Sequence, residues 1–176
     1  MVKYFSIETK NIVGKSRDIA SEMGYDHIST MHFFFADCES GSNYSLLNFA
    51  FKSLTEYSNF KNSYLKEIKD LLNFVADDIT LTTEAETAIR SSLFQKKKYK
   101  QQLIYPWHLF LAILDNKESF LSECFKDDPD IKNKLVNYYT DLGVFDLYTN
   151  VSFSTKFITQ YSSVKAGILK YLKQKN

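Results

Sequence analysis

The chain is poor in the features that announce most chemistries. Only two of its 176 residues are cysteines, Cys38 and Cys124. Each stands in or near an apolar helical run, which excludes a disulfide framework and points to buried free thiols in a reducing compartment. No stretch approaches the ~18 apolar residues of a membrane span, and the opening MVKYFSIETKNIVG lacks the ~7–15-residue apolar core of a signal peptide. A soluble cytoplasmic protein with no membrane partner is expected. Excess charge of one sign is missing too: 22 Lys+Arg stand against 21 Asp+Glu, a net +1, which removes the electrostatic case for nucleic acid as a partner.

Catalytic signatures are equally scarce. The sequence contains no Cys-x-x-Cys, no His-Glu-x-x-His and no Gly-x-Ser-x-Gly, so the spacings that announce zinc or an activated serine are absent. Gly14-Lys15-Ser16 resembles the end of a phosphate-binding loop, but Thr9 stands where that loop requires glycine. The string also falls inside an amphipathic helical pattern, where its amides are spent on helix hydrogen bonds. Asp77 with Asp78 and Asp127 with Asp128 fall at helix boundaries, where capping explains them. Lys96, Lys97, Lys98 and Lys100 read as a solvated helix end. No catalytic residue, metal, nucleotide or other cofactor is expected, and the protein is not read as an enzyme.

What the chain does contain is a copy of itself. The stretch LTTEAETAIRSSLFQKKKYKQQLIYPWHLFLAIL, from Leu81 to Leu114, repeats FSIETKNIVGKSRDIASEMGYDHISTMHFFFADC, from Phe5 to Cys38. A constant offset of 76, with no gap, carries Phe5 to Leu81, Ser6 to Thr82, Glu8 to Glu84, Val13 to Ile89, Ser16 to Ser92, Ile28 to Ile104 and His32 to His108. A unit whose apolar face cannot be buried alone packs against its copy. With 44% hydrophobic residues the chain can fill one core, which absorbs its fifteen Phe and twelve Tyr without any stacking role.

The chain punctuates itself into helices. Ser6 is a helix N-cap with Glu8 in the first turn, and Ile12, Val13, Ile19, Ala20 and Met23 recur at helical spacing up to a stop at Gly24. Ser29 or Thr30 caps a second helix through MHFFFADC, and after a turn at ESGSN the pattern resumes in YSLLNFAFKSL. A longer helix is expected from Thr55 to Ala76, closed by Asp77 and Asp78, with Tyr64, Leu65, Ile68, Leu71, Leu72 and Val75 on one face. The second copy starts at the cap Thr82 with Ala85, Ala88, Ile89, Ser92 and Leu93 inward, and Pro106 sits in the first turn of PWHLFLAIL. SLLNFAF from Ser45 resembles SFLSECF from Ser119, and DDPDIKNKLVNYY reads as a proline-started helix. From Ser152 onward, Phe157, Tyr161, Val164, Ile168 and Leu172 share one side of a final amphipathic helix outside the repeat. His32 and His108 hold equivalent places near helix starts, which fits hydrogen-bonded structural histidines.

Two copies of a unit made of a cap, an acidic first turn, an apolar helix, a short loop, an isoleucine and a His-Leu-Leu-like second helix resemble the Clp N-terminal domain of the Clp unfoldases. The strings that carry the resemblance are FSIETKNIV with HISTMHFFFA and LTTEAETAI with LIYPWHLFLAIL, over Phe5 to Tyr139. It implies an all-α, pseudo-twofold domain made of a duplicated four-helix unit, about eight helices in all. Copy one is assigned to 5–78 and copy two to 79–142 within a domain of 1–142, with 143–176 as connector and C-terminal amphipathic helix.

The resemblance also implies a non-catalytic module that binds adaptors, substrate proteins or peptides for a Clp-family ATPase acting in cis or in trans. The branch that serves sheath disassembly in type VI secretion, and receives an amphipathic helix, belongs to the same expectation. Members often carry glutamate before the histidine of each second helix, where it helps to receive cationic or phosphorylated arginine tags. Met31 and Trp107 stand there in this chain, so tag recognition of that kind is not expected. An apolar groove formed by Met31, Phe35, Tyr105 and Trp107 is expected instead, taking a hydrophobic or amphipathic helix. The competing view has Trp107 plugging the seam between the copies. Two other functions stand beside the binding module: an accessory subunit docked on a Clp ring or protease core, and an enzyme whose site one sequence does not reveal.

Overall fold

The side-chain oxygens of Ser6 and Thr82 accept hydrogen bonds from the backbone N–H of Thr9 and Ala85, and each cap starts a 16-residue helix. In the computed structural model, which describes residues 4–43, 45–68, 79–117, 119, 121–122 and 125–143, the chain is all-α apart from two very short strands. The described helices are α1 (Ile7–Glu22), α2 (Thr30–Cys38), α3 (Leu46–Ala50), α4 (Leu54–Ile68), α5 (Thr83–Lys98), α6 (Pro106–Asp115) and α7 (Ile131–Asp141). The strands are β1 (His27–Ile28) and β2 (Thr80–Leu81).

The 76-residue offset recurs in the hydrogen bonding of α1 and α5. Ser16 Oγ donates to Val13 O at 2.7 Å and Ser92 Oγ to Ile89 O at 2.6 Å, so both buried hydroxyls are satisfied inside their own helices. Both helices end in the same wrapped turn, with Tyr25 N–H donating to Ala20 O at 2.9 Å and Gln101 N–H to Lys96 O at 3.0 Å. That turn needs one residue in the left-handed region. Gly24 supplies it in the first copy at φ +78°, and Lys100 is forced into it in the second at φ +54°.

The two copies are joined by exchanged backbone pairing. β1 runs parallel to β2, with His27 opposite Thr80 and Ile28 opposite Leu81, and a parallel bridge joins Phe5 to Ile104. Thr82 N–H donates to Ile28 O at 3.0 Å and Ser6 N–H to Ile104 O at 3.0 Å. Exchanging the copies turns each tie into the other, which makes the architecture pseudo-twofold. The repeat makes Ile28 and Ile104 equivalent but says nothing of this pairing, because two-residue strands lack the alternation by which strands are read.

α1 packs on α2 and α5 on α6, while α6 also meets α1 and α7, and α2 meets α5. Every residue of α2, and every residue of α6 from Trp107 to Leu114, is buried. These are the two runs that are apolar nearly all round, as expected of helices enclosed on all sides. YSLLNFAFKSL is not one helix: α3 stops at Ala50, and Phe51 turns extended at φ −133° and ψ 148°. The break sends Phe51 into an aromatic cluster, 5.4 Å from both Tyr57 and Phe60, which anchors α4. Pro129 does not start its helix but precedes the cap Asp130. The close of α4 at Asp77 and Asp78, its apolar positions Leu71, Leu72 and Val75, Cys124, and the helix expected from Ser152 lie outside the described residues.

Lys100→Gly relieves the left-handed strain and is expected to stabilise the chain by about 1 kcal/mol. Lys100→Ala, which keeps a Cβ in the same backbone conformation, leaves stability unchanged. Urea midpoints of the three proteins check this, and equal effects from Gly and Ala would refute it.

Candidate functional site

A groove of about 560 Å³ opens where the start of α1 meets the start of α6. Glu8, Asn11, Ile12 and Lys15 of α1 form one wall, and Tyr105, Pro106 and Trp107 form the facing one. Ala36 and Asp37 at the end of α2, with Glu39 just beyond, and Tyr139 of α7 complete it. The site therefore straddles the seam between the copies, placed there by the tie from Ser6 N–H to Ile104 O and by a second bond from Thr9 Oγ1 to Ile104 O at 2.7 Å.

The pseudo-twofold mate of this seam is built differently. There Thr30 Oγ1 donates to the Glu84 carboxylate, joining the start of α2 to the start of α5. The equivalent pair across the groove is Pro106 and Glu8, and proline offers neither a hydroxyl nor an N–H to donate. The Thr30–Glu84 latch thus has no counterpart at the groove.

Two histidines brace the helix starts behind these walls. His32 Nδ1 accepts from Ser29 N–H at 2.9 Å and His108 Nδ1 from Tyr105 N–H at 2.9 Å. An accepting Nδ1 puts the proton on Nε2 in both rings, and neither Nε2 has a hydrogen-bond partner among the described residues. Burial pushes both histidines down to about 3, aided by the charge of His27 on His32 and of Lys96 on His108, which the bond to Tyr105 opposes in part. They are neutral structural braces at the third helical position, the place a glutamine or glutamate takes in a capping box.

The carboxylates of the groove differ in kind. Glu39 is half-buried, which disfavours its charge, but hydrogen bonds from Lys61 at 2.5 Å and Tyr57 at 2.6 Å, with the charges of Lys61 and Lys15, hold it below the usual range. Lys15 Nζ also donates to Glu39 O at 2.5 Å. This fixes the lysine of the Gly14-Lys15-Ser16 string to the rim, with the string itself inside α1. Asp37 is 2% exposed, and burial pushes its carboxyl up to about 7 against the partial help of Leu46 N–H, at 2.5 Å, and Ser45. Tyr139 is 1% exposed, and its hydroxyl has no hydrogen-bond partner among the described residues.

The four residues expected to form the groove do not share one surface. Tyr105 and Trp107 line it. Phe35 is wholly buried among Tyr57, Phe60 and Tyr64, and Met31 is a core residue beside the other seam. Trp107 is itself fully enclosed, with its ring stacked 3.6 Å from His108 and edge-on to Tyr99 at 4.8 Å, so it both packs the seam and forms the groove floor. Asp37 and Tyr139 went unnoticed in the sequence. The signal for Asp37 was there, since it is the lone charge in MHFFFADC at a position where copy two has Ile113. Among the described residues no cluster of three His, Cys, Asp or Glu side chains is placed to hold a metal, and no helix is long and apolar enough to cross a membrane.

The titrations carry opposite signs. His32 and His108 have folded pKa values below the unfolded one, so the unfolded chain binds more protons between about pH 3 and 6.5, and stability falls as pH falls through that window. Asp37 has a raised folded value, so its contribution is lost as pH rises toward 7. With two groups against one, urea stability of the wild type is expected to rise from pH 5 to 6.5. In the double variant His32→Gln/His108→Gln, which keeps both side-chain caps, the slope over that window reverses, leaving Asp37 in control; an unchanged slope would refute the assignment.

No family model matches the chain, and no curated protein sequence matches it. Solved structures do. The chain is similar to the N-terminal domain of the caseinolytic protease associated chaperone ClpD from Arabidopsis thaliana, with TM-score 0.49 and 11% identity over 97% of this chain and 99% of that one. It is similar to the Hsp104 N-terminal domain from Candida albicans, with TM-score 0.49 and 12% identity over 98% of this chain and 91% of that one. A structure from a malarial protein secretion system has TM-score 0.42 and 15% identity over 97% of this chain and 96% of that one. Clp and Hsp104 N-terminal domains are thus among the solved structures this chain is similar to over nearly its whole length.

Proposed function

We propose that this chain is a non-catalytic binding module that receives an amphipathic segment of another protein in the seam groove, on behalf of a Clp-family ATPase. The observation that carries the reading is the groove itself. Its volume of about 560 Å³ is lined by Ile12, Ala36, Trp107 and Tyr139, with Glu8, Lys10, Lys15 and Glu39 among its charged residues. A helix with one apolar and one charged face matches such a lining. The repeated strings around His32 and His108 resemble those of Clp N-terminal domains, which supports a Clp ring as the partner, and the buried free thiol of Cys38 fits a reducing cytoplasm. Adaptors, substrate proteins and a secretion-sheath helix are all ligands of this chemical type. The domain is taken as 1–142, with copies 5–78 and 79–142. No nucleic-acid or membrane partner is proposed, on the balanced charge of the sequence.

Tyr105 is the cleaner probe of this site. It is half-buried at the wall, whereas Trp107→Ala empties a fully enclosed position and is expected to cost about 3–5 kcal/mol of stability. Tyr105→Ala is expected to weaken binding of leucine-faced amphipathic peptides about tenfold by fluorescence anisotropy, with the urea midpoint shifted little. Undiminished peptide binding, with an ATPase ring recovered equally by both proteins, would favour the accessory-subunit reading.

A further inference from the structure

The groove holds a buried carboxyl group on which no cation of the fold acts. Asp37 is buried, and the groups that act on its charge are the Leu46 N–H and Ser45, with no cation among them. Its neighbour Glu39, by contrast, already engages Lys61 and Lys15. Tyr139 lines the same groove with a buried hydroxyl that lacks a partner among the described residues. Burial of a lone carboxyl and of an unsatisfied hydroxyl is unfavourable, and a donor arriving from outside would relieve both.

We propose that Asp37 and Tyr139 form a subsite for one lysine ammonium carried on the apolar face of the docked helix. The inference rests on the groove being a docking site and names what selects the ligand there. A lysine lays its apolar stem along Ile12 and Ala36, which line the groove, and delivers a point charge at its tip. Asp37 then ionises against that charge, and Tyr139 accepts one of the remaining ammonium protons. The arginine-tag carboxylates are absent from positions 31 and 107, so selection for a cation would come from a different residue on a different helix end. An apolar groove alone would favour a ligand with no charge on that face, so the subsite inverts the preference that the rest of the lining sets.

Two leucine-faced helical peptides of about four turns, identical except for lysine or norleucine at the centre of the apolar face, test this on the full chain. The wild type is expected to bind the lysine peptide about tenfold tighter than the norleucine peptide. Asp37→Asn keeps an oxygen for Leu46 N–H, and in that variant the preference should vanish or reverse. Tyr139→Phe is expected to reduce it about threefold. Equal binding of both peptides by the wild type, or a preference that survives Asp37→Asn, overturns the subsite while leaving the groove as a docking site. Failure of both peptides to bind overturns the docking reading along with it.

Discussion

The architecture depends on two backbone hydrogen bonds, from Ser6 N–H to Ile104 O and from Thr82 N–H to Ile28 O. Each donor belongs to a helix cap of one copy, and each acceptor lies just before the second helix of the other. The side chains of these caps already serve their own helices, and their N–H groups stand outside the helical ladder and free to bond elsewhere. Spending them across the seam fixes α1 against α6 and α5 against α2 in register, so two units with incomplete cores close on each other. The groove lies at one of these two crossings and would not exist in either copy alone.

Duplication supplies two equivalent seams, and a handful of local departures makes them unequal. Thr30 latches Glu84 at one, while Pro106 faces Glu8 at the other. Asp37 occupies the place that Ile113 fills in the second copy, and Trp107 the place of Met31. Each departure changes the groove side toward a larger aromatic surface, a missing latch or a buried polar group. The copies agree in the serine hydroxyls of α1 and α5 and in the wrapped turns that end them. Unequal seams in a diverged repeat are how a pseudo-symmetric scaffold can offer one groove rather than two equivalent ones.

Much of the scaffold was legible because it is written in local chemistry. Ser6 and Thr82 as caps, Gly24 as a stop, Pro106 in a first turn and the inward set Ala85, Ala88 and Ser92 follow from helix termini and period alone. Where reading failed, the cause was tertiary. Phe51 leaves a helical pattern because an aromatic cluster rewards it for doing so, and no local signal marks the break. The parallel ties at Ile28 and Ile104 are too short to show a strand pattern. Met31, Phe35 and Trp107 all sit in runs apolar on every side, where spacing does not distinguish a residue facing a groove from one facing a neighbouring helix. Tyr105 and Trp107 reached the groove, and Phe35 went to the core, for reasons set by packing partners far away in sequence.

Asp37 shows how a cost can mark a site. The hydroxyls of Thr9, Ser16, Ser92 and Ser119 all find acceptors, so this core satisfies most of its buried polar groups. Its hydrogen bond to Leu46 N–H joins α2 to α3, and a serine or asparagine would supply that acceptor without a charge. Stability alone therefore favours a neutral acceptor at this place over a buried carboxylate, since the isoleucine that the other copy uses would leave Leu46 N–H without its bond. A carboxyl whose ionisation is opposed by burial, lining the same groove as an unsatisfied tyrosine hydroxyl, is a local conflict in the fold. Conflicts of that kind persist where a ligand resolves them, because the energy withheld from folding becomes available to binding.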